Sequence, residues 1–200
     1  MLLSTFGINI GPLIAGAGLV GVAVGFGAQY LVRDIITGLF IIFENQYRVG
    51  DVVCFDTTCG TVEDISLRTT RLRDVDGDVH TVPHGGITIT TNKTNRQSNI
   101  NMLVGVAYDS DIDQVEKVVN QVGEDLATDE QWHDLIIEAP KFLRIESFDD
   151  SAVSILIRGQ VLADDQWAVA GELRRRLKKA FDIQHIEFPF PQRVVYNKNI

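Results

Sequence analysis

Apolar positions dominate the beginning of the chain without interruption, because residues 1–32 contain no Asp, Glu, Lys or Arg. A helix that crosses a bilayer needs about 20 mainly apolar residues, so this segment predicts a transmembrane helix. Glycine and alanine fill many of its positions, and in lipid such small residues let helices approach one another closely. The pattern therefore predicts a helix that packs against other membrane helices.

The small residues fall on two flanks of a helix that advances about 100° per residue. The first flank is formed by Gly11, Gly18, Gly21, Gly25 and Ala28, and the second by Gly16, Ala23 and Gly27. Two nearly opposite flanks suit a helix held between two copies of itself in a closed ring. Periodicity does not decide which of the larger faces would line a pore, and a single membrane anchor packed against an unknown partner fits the same pattern.

Polar residues return at Gln29, and the apolar run from residue 35 to 43 has charged residues at both ends. Because Gln29 is the first strongly polar side chain since Asn9, the helix is expected to leave the hydrocarbon there. We predict a kink at Gln29 or Tyr30, followed by a short second helix. Residues 1–45 then form a transmembrane pore helix with a kinked amphipathic extension.

Residues 46–100 follow a different pattern, rich in Val, Thr and Ile and interrupted by turn signals. Runs of this kind predict four or five short strands, and their spacing favours a small β-barrel or sandwich. Asp76 and Gly77 predict a tight hairpin.

Residues 101–200 alternate between strand and helix patterns in the order β-α-β-β-α-β, which is typical of ferredoxin-like α+β domains. Ser110 is predicted to begin the first helix and Asp164 or Asp165 the second. The face of the second helix is expected to bury Trp167 with its aliphatic residues. Residues 193–196 predict one further strand.

Composition narrows the classes of function. A formal net charge of −9 argues against nucleic-acid binding, because the neutralisation of phosphates requires clustered cations. The sequence contains no P-loop, GxSxG or HExxH motif, so we expect neither an enzyme nor a cofactor. Arg33, Arg48 and Arg68 follow the apolar segment, and the positive-inside rule then places the later domains in the cytoplasm.

The cysteines and histidines predict no site. If residues 56–59 make a turn, Cys54 and Cys59 lie out of register, so we expect free thiols rather than a disulfide. His80 and His84 are four residues apart, but they lie in a strand and turn pattern beside Pro83. Two histidines four residues apart can bind one metal ion together when they lie on a helix, but a strand and turn pattern does not place them so. No metal site is therefore predicted.

Four stretches of the sequence, in this order, resemble the small-conductance mechanosensitive ion channel (MscS) family of bacterial membranes. They are GLVGVAVGFGAQYLVRDIITGLFIIFENQYRVGDVV, GTVEDISLRTTRLRDVDGDVHTVPHGGI, GVAYDSDIDQV and FPFPQ. The resemblance implies a homoheptamer in the bacterial inner membrane that opens under membrane tension. Ions and small osmolytes would leave through it on hypoosmotic shock. It also implies an Sm-like β-barrel domain and a cytoplasmic vestibule.

The resemblance assigns roles within the first helix. Val22 and Phe26 match the two hydrophobic constriction rings of the family. Its helix-packing positions correspond to Ala15, Gly18, Leu19, Gly21, Ala23 and Gly25, of which Leu19 is bulkier than usual. The kink would involve Gly27, Gln29, Tyr30 and the second flexible glycine, Gly38.

Three departures accompany the resemblance. Tyr30 stands where the family often has a glycine, and His84 stands in a ProHisGly turn where it usually has ProAsnGly. The family also has at least two membrane helices before the pore helix, so we expect this sequence to be part of a longer protein. The alternative from another class is a membrane-anchored cytoplasmic binding module without channel activity.

Overall fold

A computed structural model of the chain describes residues 11–193. The chain divides into two compact units, Met1–Asn92 and Lys93–Ile200. Within the described residues, the first unit contains one long helix and an antiparallel β-sheet. The second contains a three-stranded antiparallel sheet covered by two helices. The predicted strand at residues 193–196 lies almost wholly outside the described residues.

Helix α1 runs without interruption over Gly11–Glu44. Pro12 lies in its first turn, where the missing N–H of proline removes no hydrogen bond. Beyond it no proline occurs up to Glu44, and glycine lowers helix propensity without removing a backbone donor. The prediction of a separate short helix after Tyr30 is therefore wrong, whereas a bend within the continuous helix stays a prediction.

The sheet of the first unit has five antiparallel strands in the order β4-β3-β2-β1-β5. The strands are β1 Val52–Phe55, β2 Thr58–Ile65, β3 Thr69–Arg73, β4 Val79–Pro83 and β5 Thr90–Asn92. A short 3-10 turn, His84–Gly86, follows β4. The core of this unit consists of Ile41 from α1 and the side chains of Tyr47, Val53, Phe55, Val62 and Leu72.

The hairpin predicted at Asp76 and Gly77 joins β3 to β4, with a loop over residues 74–78. Gly77 has φ 93°, a left-handed conformation that favours glycine. The Asp74 carboxylate accepts hydrogen bonds from the backbone N–H groups of Asp76 and Asp78 at 3.0 and 2.9 Å. These bonds stabilise a wider loop than a two-residue turn.

The hairpin between β1 and β2 contradicts the prediction of free thiols. Phe55 pairs with Thr58, so the turn consists of Asp56 and Thr57 rather than of residues 56–59. Asp56 adopts φ 52°, which this short turn requires. Cys54 consequently lies directly opposite Cys59, and the two form a disulfide.

The second unit has the element order β-α-β-β-α that its sequence pattern predicts. The elements are β6 Gln97–Val106, α2 Ile112–Ala127, β7 Ile136–Phe148, β8 Val153–Leu162 and α3 Gln166–Ile183. The strands lie in the order β6-β8-β7. The helix residues in the core are Val115, Val119, Val122 and Leu126 from α2 and Val169, Leu173, Leu177 and Phe181 from α3.

Three details of these helices differ from the predictions. Asp111, and not Ser110, caps α2, because its carboxylate accepts hydrogen bonds from the N–H groups of Asp113 and Gln114. Asp165 occupies the cap position of α3 but makes no capping hydrogen bond through its side chain. Trp167 is 51% exposed rather than buried, since it lies in the first turn, away from the face that meets the sheet.

Candidate pore helix and its junction with the β-sheet

Helix α1 is longer than a membrane requires. Its 34 residues correspond to a length of about 51 Å, whereas the hydrocarbon core of a bilayer is about 30 Å thick. Among the described residues it is the one helix that is long and apolar enough to cross a membrane. Part of α1 must therefore extend beyond the hydrocarbon.

The first half of α1 makes almost no contact with the rest of its own chain. Every residue from 11 to 27 is exposed. Val22 and Phe26 are 56% and 71% exposed. Since they are four residues apart, they lie on one face, about one turn from each other. The structure thus places both predicted constriction residues on the same open apolar face.

Five glycines of this half have open space around them within the described residues. A Cβ atom added at Gly16, Gly18, Gly21, Gly25 or Gly27 would meet no atom of the described residues within 4 Å. Each glycine costs a helix about 1 kcal/mol relative to alanine. Packing against the described residues therefore does not require these glycines. The remaining predicted packing residues, Ala15, Leu19 and Ala23, are exposed as well.

The second half of α1 is held against the β-sheet. Its buried residues are Asp34, Gly38 and Ile41, which the helical repeat places on one face. At Gly38 an added Cβ would lie 2.1 Å from the carbonyl oxygen of Leu67 and 2.3 Å from Nδ1 of His84. Gly38, predicted as a point of flexibility, is therefore a point of close packing. Gly27, Gln29 and Tyr30, the other predicted kink residues, are exposed.

A buried carboxylate fixes this junction electrostatically. Oδ1 of Asp34 accepts a hydrogen bond from the backbone N–H of Gly85 at 2.9 Å, and Oδ2 accepts one from Nη1 of Arg68 at 3.3 Å. The residue is only 7% exposed. Removal of a charge from water is unfavourable unless such partners replace the solvent. Sequence analysis did not single out Asp34, although an acid within an otherwise apolar helical run is a signal for such a partner.

A second polar network lies beneath the junction. His84 is fully buried, and its Nε2 hydrogen bonds with the hydroxyl of Thr70 at 2.8 Å. That hydroxyl also hydrogen bonds with the phenol of Tyr47 at 2.9 Å. The Nδ1 atom has no hydrogen-bond partner among the described residues. Burial lowers the pKa of His84, against the opposing effects of the nearby Leu67 carbonyl group and, to a smaller extent, the Asp34 carboxylate, so the neutral imidazole is favoured.

The histidines do not form a metal site in the part of the chain that the structure describes, where no group of three potential ligands occurs. His80 instead pairs with Asp74, whose Oδ2 lies 3.0 Å from its Nε2. This hydrogen bond lowers the pKa of Asp74. His84 is buried and hydrogen bonds with Thr70 of the sheet.

These features define a class of protein. An apolar helix of membrane-spanning length leaves its glycines and one aromatic face to other molecules, while its far end is bound to a folded β-sheet. Such a helix is a component of a membrane assembly. The polar groups described so far support its junction with the sheet.

Comparison with known proteins identifies the family. Three family models match successive parts of the chain. They are transmembrane helices 2/3 of the mechanosensitive ion channel (residues 1–29), its β-domain (residues 30–96) and the MscS C-terminal domain (residues 100–188). The chain belongs to the MscS family of mechanosensitive ion channels.

Individual relatives agree with this assignment. The chain is 37% identical to a small-conductance mechanosensitive channel of Caldanaerobacter subterraneus over 97% of its own length and 68% of the relative. It is 35% identical to the moderate-conductance mechanosensitive channel YbiO of Escherichia coli over 94% of the chain, but only 26% of that relative.

The structural comparison agrees as well. A crystal structure of Helicobacter pylori MscS in the closed state superposes with a TM-score of 0.81 at 28% identity, over 99% of this chain and 78% of the other. These relatives are channels, which supports a function other than catalysis and does not favour the alternative of a membrane-anchored binding module.

Proposed function

We propose that this chain supplies the pore helix and the cytoplasmic domains of a tension-gated homoheptameric channel in the bacterial inner membrane. The channel releases ions and small osmolytes on hypoosmotic shock. The observation that carries this proposal is the contrast within α1. Among the described residues, its first half has open glycines and an exposed apolar face, while its second half is packed. A ring of identical helices would use both properties.

The gate in this proposal consists of rings of Val22 and Phe26. A narrow constriction lined by apolar side chains excludes water and ions without complete steric closure. Their exposure on one face, one turn apart, supports two stacked rings. Membrane tension favours a state with a larger in-plane area, and the wider pore would then rehydrate.

The packing of neighbouring helices depends on the small residues. The resemblance to the MscS family implies two sets of packing positions on neighbouring helices. One helix would contribute Gly18, Gly21 and Gly25, and the next would contribute Ala15, Leu19 and Ala23. The open space around the three glycines supports this arrangement. Leu19 is larger than the alanine or glycine that close helix contacts prefer, so neighbouring helices would be further apart at that level.

A bend in α1 would occur at Gly27 rather than at Gly38. Gly27 is exposed, and a Cβ added to it would meet no described atom within 4 Å, whereas Gly38 is packed against Leu67 and His84. Gln29 and Tyr30 adjoin Gly27 on the side towards the sheet, where the first strongly polar side chain of the described helix occurs.

The domain layout follows the same proposal. Residues 1–45 form the membrane part, residues 46–100 an Sm-like barrel and residues 101–200 a ferredoxin-like domain. The sheet of five antiparallel strands supports the Sm-like assignment, and the strand order β6-β8-β7 supports the ferredoxin-like assignment. The arginines that follow the apolar segment support a cytoplasmic position. The partners are other copies of the chain and membrane lipid, with no role for nucleic acid.

Serine substitutions test the gate in patch-clamp recordings of the assembled channel. We expect Val22→Ser and Phe26→Ser to lower the opening tension, because a polar ring retains water. Val24→Ser is a matched control, since Val24 is 64% exposed and lies on the opposite side of the helix. Unchanged thresholds for the first two variants, or a lower one for Val24→Ser alone, would contradict the gate.

Stoichiometry tests the assembly separately. Native mass measurement of the detergent-solubilised protein should give a closed ring of seven copies. A monomer or dimer would support the membrane-anchored binding module instead.

A further inference from the structure

The hairpin formed by β1 and β2 contains a covalent feature that the channel mechanism does not use. Cys54 and Cys59 form a disulfide across two neighbouring strands, and their Cα atoms are 4.0 Å apart. We propose that this disulfide is a reversible thiol–disulfide exchange site, which dithiol reductants open and small disulfides close. The proposal does not depend on the identity of the gate.

The backbone register determines why these two side chains meet. Phe55 and Thr58 flank a two-residue turn and so form a hydrogen-bonded pair, and the bond from the N–H of Val62 to the carbonyl oxygen of Asp51 fits the same alternation. Hydrogen-bonded and non-hydrogen-bonded pairs alternate along antiparallel strands, which makes Cys54 and Cys59 a non-hydrogen-bonded pair. Side chains of such pairs are the closest across a hairpin. The strand geometry therefore brings the two sulfur atoms together without help from the rest of the protein.

The disulfide is one of several contacts that hold the hairpin. The two cysteines are separated by five positions, and a cross-link that closes so short a loop removes less entropy from the unfolded chain than one that closes a long loop. Val53, Phe55 and Val62 are buried and anchor the same strands in the core. Both the dithiol and the disulfide are therefore compatible with the folded sheet, as a reversible site requires.

The two cysteine residues differ in exposure, which favours one direction of attack. Cys59 is exposed, whereas Cys54 is 7% exposed and lies between β2 and β5, where Thr91 is its partner on the other side. A nucleophile from solvent reaches Cys59 first. Exchange depends on such access as well as on the charge state of the attacking thiol.

The reaction balances with a dithiol as reductant. Its first thiolate forms a bond to Sγ of Cys59, the Cys59–Cys54 bond breaks, and the electron pair leaves on Sγ of Cys54, which takes up a proton from water. The second thiol of the reductant, as a thiolate, then attacks the reductant's own sulfur in the mixed disulfide and displaces Cys59. The reductant is released as a cyclic disulfide. Cys59 takes up a second proton. A small disulfide restores the bridge by the reverse sequence.

The charge of the hairpin selects among reductants. Residues 52–61 contain one acid, Asp56, and no Lys, Arg or His. Within residues 52–61, therefore, no cation favours the approach of an anionic thiol or stabilises a cysteine thiolate. An uncharged dithiol should therefore open the bridge faster than glutathione at equal thiolate concentration. In the reducing cytoplasm, where we place this domain, a persistent disulfide would be unusual and a reversible one is expected.

Maleimide labelling of the assembled, folded protein tests the proposal. Without reductant neither cysteine should be labelled, and after dithiothreitol Cys59 should be labelled first and the buried Cys54 more slowly. Oxidised dithiothreitol should then abolish the labelling. Labelling of both thiols before reduction, or reduction only under denaturing conditions, would overturn the inference.

Two single-thiol variants test the accessibility of each sulfur and are matched in composition. Cys54→Ser leaves only Cys59, and Cys59→Ser leaves only Cys54. With glutathione disulfide, Cys59 in the first variant should form a mixed disulfide at least about tenfold faster than Cys54 in the second. Equal rates would overturn the assignment of Cys59 as the point of attack. Amide hydrogen exchange of both variants checks that the hairpin is folded.

Discussion

The most demanding prediction concerns Gly38, where α1 comes closest to the sheet. Gly38→Ala would place a Cβ atom 2.1 Å from the carbonyl oxygen of Leu67 and 2.3 Å from Nδ1 of His84. Ordinary contacts of this kind are about 3.5 Å or more, so one side of the junction must move by more than about 1 Å. The first atom belongs to the backbone and the second to a buried ring held by Thr70. Neither can rotate away cheaply.

The magnitude follows from two opposing contributions. Overpacking of a tight core site costs about 1–3 kcal/mol, and we expect the upper end because a backbone atom is involved. Alanine in place of glycine returns up to about 1 kcal/mol of helix propensity. The net loss is about 2 kcal/mol, which corresponds to about a thirtyfold increase in local opening of the junction.

Amide hydrogen exchange of the assembled protein measures this opening. Exchange in residues 67–72 should accelerate about thirtyfold in Gly38→Ala. Gly27→Ala is the control on the same helix, since its Cβ meets no described atom within 4 Å, and it should leave exchange in that segment unchanged. Equal exchange in the two variants would refute the close packing at Gly38.

Acid should weaken the first unit through His84. The pKa of His84 is lowered in the folded state, whereas in the unfolded chain it is about 6.5, so the unfolded chain binds the proton more tightly. The folded unit is therefore most stable, as far as His84 is concerned, above about pH 6.5. That stability is lost as the pH falls towards the lower folded pKa. Proteolysis of this unit should therefore be faster at about pH 5.5 than at about pH 7.5, and His84→Asn should lose most of this difference. In the second unit, Phe181→Ala should cost about 3–5 kcal/mol of unfolding free energy, because the ring is fully buried. Ile183→Ala, at a site 72% exposed, should stay within about 0.5 kcal/mol, with fluorescence of Trp132 as the readout.

Each of these two predictions has a result that would contradict it. If His84→Asn retains the whole acid sensitivity, another titrating group is responsible. If Phe181→Ala unfolds at the same denaturant concentration as Ile183→Ala, the second unit is not stabilised by the core described above.

Sequence patterns anticipated the elements better than their junctions. Alternation and turn signals predicted the strands of the first unit, and helical periodicity predicted the buried faces of α2 and α3, because both follow from which side chains avoid water. The cap of α2 was displaced by one residue, since Ser110 and Asp111 are both good caps and geometry selects between them. Local chemistry could not make that choice.

The contacts at the pore helix could not be read from the sequence in the same way. Gly38 and the glycines of the first half of α1 look alike as letters, yet one is packed and the others are open. The disulfide was missed because a shift of the turn from four residues to two changes which residues face each other. Asp34 has two partners, Gly85 and Arg68, which are 51 and 34 positions away from it in the chain. No local sequence pattern encodes contacts over such separations.

The uninterrupted helix α1 also has a mechanical consequence. A straight rod about 51 Å long that tilts by about 10° around one end carries its other end sideways by about 9 Å. Asp34, Gly38 and Ile41 pack the far part of α1 against the sheet, so in the proposed channel a straight α1 would act as a lever arm that amplifies small tilts in the bilayer. A bend at Gly27 would uncouple that arm, and the proposal therefore makes the stiffness of this residue a determinant of how much motion is transmitted.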